Sequence, residues 1–129
     1  FLAAPTNAQH AALVAFDRES LDILEQRREV FEKRRDVLLP ALQEIGFSIP
    51  VKPQGAFYLY ADCSKFLTDT INNSMDLSRY LLQEAGVAIT PGNDFGQHLA
   101  DQHVRFAYTT NETRLMQAVE RIHAALTKL

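Results

Sequence analysis

The sequence predicts an α/β fold in two layers, in which helices cover a small sheet. Three observations lead to this fold class. Helical spacing of apolar residues dominates residues 6–45, short apolar and aromatic runs with one helical segment among them fill residues 47–109, and helical spacing returns at residues 111–126. A sheet and an amphipathic helix each bury one apolar face, so elements of both kinds cover one another in two layers.

Composition sets the size of the protein and excludes several functions. A chain of 129 residues has the length of one domain and can bury a core of its own. Thirteen Lys and Arg against sixteen Asp and Glu leave a net charge of −3, which gives no general attraction for nucleic acid or an anionic membrane. No apolar run approaches the roughly 18 residues of a membrane span. We expect neither nucleic acid nor a membrane as a partner.

The single cysteine, Cys63, allows no disulfide framework and no thiolate metal cluster. We expect it to be a small buried residue, and its isolation fits a cytoplasmic protein. The four histidines do not fall at metal-ligand spacing, and the serines lie in no nucleophile elbow. We therefore predict no metal site and no catalytic residue within this chain.

Two helices are predicted before residue 46. Thr6-Asn7-Ala8-Gln9 has the form of a capping box, which predicts a short helix through Phe16. From Asp17 to about Ile45, apolar residues recur at steps of three, four or seven, which predicts one long amphipathic helix. That apolar stripe consists of Leu21, Leu24, Phe31, Leu38, Leu42 and Ile45. Because Pro40 lacks a backbone donor, we expect a kink or a break near Leu38, giving one bent helix or two.

Short strands and turns are predicted next. After Gly46 ends the long helix, residues 47–51 have the pattern of a short strand. A turn at Pro53-Gln54-Gly55 leads into residues 56–61, whose aromatic and apolar side chains on both faces predict a central strand. Residues 62–75 are the most polar on the chain and predict a surface loop with a helical turn.

The second half alternates between helices and strands. Asp76 is expected to open a helix that stops at Gly86, the residue that most readily takes the left-handed conformation. A short strand at 87–90 and a turn-rich loop at 91–96 follow. Asn111 is expected to cap a final helix. Its apolar face consists of Leu115, Val119, Ile122 and Leu126.

Arg105 interrupts a predicted strand at residues 103–109. Alternation sends Val104, Phe106 and Tyr108 to one face and Arg105 to the other. A buried guanidinium is costly unless it is paired, so this arginine needs a carboxylate or phosphate, or faces an open cleft. The planar fork suits bidentate binding of a carboxylate. An internal salt bridge or a position on an edge strand remains open from the residues alone.

Several short motifs occur in an order that is typical of one family. They are Gln9-His10-Ala11-Ala12-Leu13, Arg34-Arg35-Asp36, Pro53-x-Gly55-Ala56-Phe57-Tyr58, Val87-Ala88-Ile89-Thr90-Pro91-Gly92-x-x-Phe95-Gly96, Val104-Arg105-Phe106-Ala107-Tyr108 and Arg121-Ile122. Together they resemble the C-terminal domain of class I/II aminotransferases of fold type I. The resemblance covers nearly the whole chain and implies a sheet that is mostly antiparallel.

The resemblance implies a domain organisation and site residues. Residues 1–129 would be the small C-terminal domain, with 1–16 as the tail of the connection between domains, cut from a larger domain that binds the cofactor. Arg105 stands where the family places the arginine that binds the substrate α-carboxylate. Gly55 and Phe57 match positions at the substrate end of the cleft. The resemblance implies no cofactor-binding residue within this chain.

The implied activity is transfer of an amino group between an amino acid and a 2-oxo acid, with pyridoxal phosphate as cofactor and a cytoplasmic homodimer as the intact protein. The family's Schiff-base lysine lies on the larger domain, so we expect this chain alone to be inactive and to bind no pyridoxal phosphate. Its own lysines lie on a solvated helix face, beside a turn, in a polar loop and at the chain end. They are Lys33, Lys52, Lys65 and Lys128. Schiff-base lysines are usually desolvated.

Two other functions remain open from the sequence. The same kind of domain occurs as the aminotransferase-like effector domain of a transcription regulator, and the chain could also be a free-standing binding module. The resemblance does not identify the substrate, so aspartate, alanine and aromatic amino acids are all candidates.

Overall fold

Four helices and a three-stranded antiparallel sheet make up residues 3–129, the part of the chain that the computed structural model describes. The elements in chain order are α1 (Thr6–Val14), α2 (Arg18–Ile45), β1 (Tyr58–Asp62), α3 (Ser74–Ala85), β2 (Thr90–Pro91), β3 (His103–Ala107) and α4 (Glu112–Leu126). Single 3-10 turns lie at Ser64–Phe66, Gly92–Asp94 and Ala100–Gln102. The predicted fold class is confirmed. None of the helices in this part of the chain is long and apolar enough to cross a membrane.

The last strand lies in the middle of the sheet. The strand order is β1-β3-β2, and both pairs are antiparallel. The sequence predicts residues 56–61 as the central strand, and this prediction is wrong, because β1 lies at an edge of the sheet. Its Tyr58 and Tyr60 side chains are 39% and 38% exposed. The predicted strand at 47–51 is reduced to one bridge, in which Ser48 pairs with Asp62 at the outer edge of β1.

All the large apolar side chains of the core lie on one side of the sheet. Leu59 of β1 and Val104 and Phe106 of β3 belong to a cluster that includes buried residues of α2, α3 and α4. Phe47 packs edge-on against Phe106, with ring centroids 5.0 Å apart. Alternation along β3 therefore leaves Arg105 on the opposite face, as the sequence predicted.

The long helix continues through Pro40 as one element, so of the two predicted alternatives, one helix or two, the structure has one. Leu38 and Leu42 on either side of the proline are buried in the core, and their burial holds both halves of α2 in place. Pro40 and Asp36 are both exposed, so water can bond the carbonyl group that the missing N–H would have bonded. The first half of α2 is not packed in this way, because no residue before Arg35 is buried.

The capping box predicted at the first helix is not formed. Pro5 occupies the N-cap position and makes no side-chain cap, while the Asn7 side chain accepts from the Ala8 N–H at 2.9 Å. The Gln9 amide instead donates to the carbonyl oxygen of Ala4 at 2.6 Å. Helix α1 also ends at Val14, and it buries no residue. A proline favours the start of a helix by its fixed φ, so this helix can begin at Thr6 without a capping box.

Three other predicted helix ends can be compared with the structure. Helix α3 begins at Ser74, two residues before Asp76, because the Asn73 side chain accepts from the Asp76 N–H at 3.0 Å. Gly86 ends α3 in the left-handed conformation, and Asn111 caps α4 by accepting from a backbone N–H; both predictions are confirmed. Polar caps act locally, so the sequence identifies most of them.

A charge network joins α2 to the loop before β1. The Arg35 guanidinium is 7% exposed, and it donates to Asp36 at 2.8 Å and to the carbonyl oxygen of Pro53 at 2.9 Å. Lys52 pairs with the same carboxylate at 2.8 Å. The hydrogen bond from Arg35, followed by that from Lys52, lowers the pKa of Asp36 to about 2. This network fixes the turn that leads into the sheet.

Replacing Asp36 by asparagine should destabilise the chain in a pH-dependent way. A carboxyl group whose folded pKa is lowered stabilises the fold above its unfolded pKa near 4, and loses that effect as the pH falls towards 2. We expect Asp36→Asn to lower the free energy of unfolding by about 1 kcal/mol at pH 7, since solvent screens the exposed Asp36 carboxylate. Urea unfolding at intervals from pH 7 to pH 2 measures the difference.

The matched control is Asp69→Asn, because Asp69 is exposed and forms no ion pair with residues 3–129. It should unfold like the parent chain at every pH. A difference between Asp36→Asn and the parent that stays constant down to pH 2 would contradict the proposed charge network.

Cys63 is fully buried, as predicted. Its thiol lies 3.2 Å from the carbonyl oxygen of Gln102, and burial, with a smaller contribution from the charge of Asp62, raises its pKa to about 12. The thiol is therefore protonated at neutral pH and packs as an apolar side chain.

Candidate functional site

Arg105 projects from the central strand into an open cleft of about 440 Å³. The cleft lies on the face of the sheet opposite the core, and it has the size of a small-molecule site. Its other lining residues are Tyr58, Tyr60, Phe95, Gly96, Gln97 and His98. Arg105 is the only arginine or lysine among these lining residues, so it is the cleft's candidate group for binding an anion.

The guanidinium of Arg105 is held by neutral groups. Its Nη2 donates to the hydroxyl of Thr90 at 3.2 Å. Its Cζ lies 4.7 Å from the centroid of the Phe95 ring and 5.7 Å from that of Tyr58, within the range of cation–π attraction. No carboxylate within residues 3–129 lies within 4.0 Å of it. Neither the internal salt bridge nor the edge-strand position therefore applies in the described part of the chain.

One donor of Arg105 has no acceptor. Its Nε is buried, and no hydrogen-bond partner for it lies within residues 3–129. A buried donor without a partner costs about 1–3 kcal/mol, and more when it is charged. The guanidinium thus keeps hydrogen-bonding capacity that no described residue uses, and a carboxylate has the matching charge and geometry.

Aromatic rings form the wall of the cleft beside Arg105. Tyr60 stacks on the His103 ring with centroids 4.9 Å apart and planes at 12°, and it meets Phe95 edge-on at 6.2 Å. His103 is itself held by a contact of 2.9 Å between its Nδ1 and the carbonyl oxygen of Leu99. Burial raises the pKa of the Tyr60 hydroxyl, so this wall carries no negative charge at neutral pH.

The loop that carries Phe95 is anchored by a buried serine. Ser74 is fully buried, and its hydroxyl donates to the carbonyl oxygen of Ala100 at 2.8 Å and accepts from the Gly92 N–H at 3.3 Å. A side chain at Gly92 would overlap backbone oxygen atoms, so the loop packs closely against its neighbours. The position of Phe95 over Arg105 thus depends on the start of α3.

The three predicted substrate residues do not lie together. Gly55 lines a separate depression of about 350 Å³ between α2 and Tyr108. Phe57 is 44% exposed and meets the Tyr58 ring edge-on, with centroids 5.8 Å apart, but it does not line the cleft of Arg105. The roles predicted for Gly55 and Phe57 stay predictions.

Thr90 and Ser74 were missed by the sequence analysis. Thr90 was assigned only to a short strand, and its alignment with Arg105 follows from the pairing of β2 with β3. Ser74 was assigned to a polar surface loop. Its signal is weak, because a serine beside a helix start is usually a cap and seldom a buried anchor.

The lysines of this chain do not have the surroundings of a lysine that forms a Schiff base. All four are exposed, and Lys52 is paired with Asp36. Schiff-base lysines are usually desolvated, so an exposed lysine does not suit this role. Within residues 3–129, no group of three or more His, Cys, Asp and Glu side chains is placed to hold a metal ion.

Comparisons with known proteins agree on one family. Residues 1–122 match the family model described as "Aminotransferase class I and II". A probable aspartate/prephenate aminotransferase from Aquifex aeolicus (strain VF5) is 37% identical over 125 residues, covering 96% of this chain and 31% of the relative. One from Thermus aquaticus is 42% identical over 123 residues, covering 94% of this chain and 30% of the relative.

Solved structures share the fold described above. An aminotransferase from Mycobacterium tuberculosis superposes with a TM-score of 0.88 and 31% identity, covering 99% of this chain and 32% of that one. An aspartate aminotransferase from Thermus thermophilus with maleate gives a TM-score of 0.78 and 38% identity, covering 92% of this chain and 29% of that one. The chain spans about a third of the length of these proteins.

Proposed function

The chain belongs to the class I and II aminotransferase family, and we propose that, as part of a longer protein, it binds the α-carboxylate of an amino acid during transfer of the amino group to a 2-oxo acid. The observation that supports this role most directly is the unpaired state of Arg105. Its guanidinium faces an aromatic cleft, has no carboxylate partner in the described residues, and keeps a buried Nε–H without an acceptor.

The domain organisation is part of the proposal. Residues 1–129 would form the small C-terminal domain, with residues 1–16 as the tail of the connection to a larger one. Family members generally use pyridoxal phosphate, which withdraws electrons from the substrate α-carbon when it is bound. The cofactor would be held outside this chain, because none of its lysines fits. A cytoplasmic homodimer as the intact protein belongs to the same proposal.

The contribution of this chain to the reaction is binding and orientation. Two parallel N–H···O bonds from Arg105 to a carboxylate would fix one end of the substrate and so the direction of its α-carbon bonds. The Phe95 and Tyr58 rings lie against the guanidinium and shield part of it from water. Exclusion of water lowers the local dielectric constant and strengthens the ion pair. Closure of the small domain over the bound substrate would complete this exclusion.

Aspartate is the first substrate to test. Several relatives are named as aspartate or aspartate/prephenate aminotransferases. Within the cleft, Arg105 is the one arginine or lysine, so the second carboxylate of aspartate would need a cation from another part of the intact protein. Alanine and aromatic amino acids belong in the same panel, since the cleft walls alone do not exclude them.

The test is the visible absorption spectrum of the full-length protein, supplied with pyridoxal phosphate and titrated with a panel of amino acids. We expect a cofactor band that shifts on addition of L-aspartate. A band that shifts only with another amino acid would support the aminotransferase activity and identify that amino acid as the substrate. No band in protein that is folded by circular dichroism contradicts the enzyme proposal and favours a regulator built on the same fold.

A further inference from the structure

We propose that Thr90 is the positioning residue for Arg105: its hydroxyl sets the orientation in which the guanidinium meets a substrate carboxylate. The inference rests on the proposed role of Arg105 and adds a second residue to that site.

Backbone geometry places Thr90 opposite Arg105. The two residues are register partners in the antiparallel pair formed by β2 and β3, so their side chains leave the same face of the sheet. Pro91 follows Thr90 and restricts its backbone to extended conformations. A β-branched side chain on a restricted backbone has few rotamers. The Thr90 oxygen therefore lies at a fixed point, 3.2 Å from Nη2 of Arg105.

The neutrality of this acceptor matters for ligand binding. An aspartate or glutamate in place of Thr90 would also bond the guanidinium, but it would neutralise the charge that attracts a substrate anion. A hydroxyl accepts one hydrogen bond and leaves the positive charge of Arg105 in place. Such an acceptor orients the arginine without competing with its ligand.

The aromatic rings cannot supply this orientation alone. Phe95 and Tyr58 contact the guanidinium at 4.7 and 5.7 Å from their centroids, and these attractions depend weakly on rotation of the group within its own plane. A hydrogen bond to one nitrogen sets that rotation, because its strength falls steeply with angle. Thr90 thus adds the constraint that decides which edge of the fork faces the cleft.

The experiment compares Thr90→Val, which keeps the shape and removes the hydroxyl, with Thr90→Ser, which keeps the hydroxyl. In the full-length protein, we expect Thr90→Val to raise the KM for L-aspartate and the calorimetric Kd for maleate by about 5- to 30-fold, and to change kcat much less. Thr90→Ser should stay within about threefold of the parent in both constants. Thermal unfolding of each variant checks the fold, and Thr90→Ala repeats the test with less bulk if Thr90→Val is destabilised.

Two results would overturn the inference. One is a KM and Kd within twofold of the parent for the valine and alanine variants; the other is a serine variant that loses as much as valine, which would make shape the important property. Arg105→Ala is measured in parallel. If Arg105→Ala weakens binding and Thr90→Val does not, only the role of Thr90 fails; if neither does, the proposed function fails.

Discussion

Replacing Arg105 by alanine in the full-length protein is expected to lower kcat/KM for L-aspartate by about 100- to 10,000-fold. The substitution removes two charge-assisted hydrogen bonds to the substrate carboxylate, which together are worth roughly 3–6 kcal/mol. Initial rates at substrate concentrations well below KM measure the effect. The thermal stability of the free protein should change little, because the cost of the buried Nε–H without a partner offsets the contacts of the guanidinium with Thr90, Phe95 and Tyr58.

Two companion variants identify the cause of a loss at Arg105. Arg105→Lys keeps the charge and removes the planar fork, so we expect an intermediate loss. Arg121→Ala removes an exposed arginine from α4, far along the chain from the cleft residues, and should behave like the parent. A kcat/KM of Arg105→Ala within tenfold of the parent would contradict the proposed role.

Gly92→Ala should destabilise the chain strongly. A Cβ atom at this position would overlap the carbonyl oxygen of Ala100 and lie 2.8 Å from that of His103. Backbone atoms cannot move aside without shifting the loop, so the hydrogen bond between the Gly92 N–H and Ser74 would be lost as well. We expect the free energy of unfolding to fall by about 2–4 kcal/mol, measured by urea denaturation.

Gly55→Ala provides the matched control for this loss, because a Cβ atom there meets nothing within 4 Å and the backbone is not left-handed. Its unfolding free energy should stay within about 0.5 kcal/mol of the parent. Equal stability of the two variants would show that the loop yields easily and that Ser74 and Gly92 do not hold Phe95 in place.

Local signals made several elements predictable. Gly86 and Asn111 mark helix ends through their own conformational and hydrogen-bonding preferences, and both were assigned from the sequence. The alternation along β3 likewise predicted which side chains are buried and which face Arg105 takes. In each case the residue itself carries the information.

Where the structure departs from the local sequence pattern, tertiary packing is the cause. Pro40 remains inside a helix because the buried leucines on both sides of it hold the helix together. Residues 56–61 looked central because tyrosine is counted as apolar, whereas the rings of Tyr58 and Tyr60 line an open cleft. Leu21 and Leu24 belong to the apolar stripe of α2 but are half exposed, because nothing in residues 3–129 packs on that part of the helix.

The candidate site was only partly predictable for a related reason. Arg105 can be identified from the sequence because a charged residue in a buried strand is costly unless it has a partner or faces a cleft. Its contacts with Thr90 and Phe95 depend on strand register and on the path of a loop, and neither leaves a local pattern in the sequence. The sequence therefore singles out Arg105 but gives no sign of the residues that contact it.

The central position of β3 has a consequence for synthesis on the ribosome. Strands β1 and β2 emerge first, yet they have no ladder with each other, and the gap between them is filled only by residues 103–107. The sheet cannot form cooperatively until residues 103–107 have left the exit tunnel, and such non-local pairing slows folding. A nascent chain truncated before Arg105 would keep two unpaired strand edges, the kind of surface that chaperones and proteases recognise.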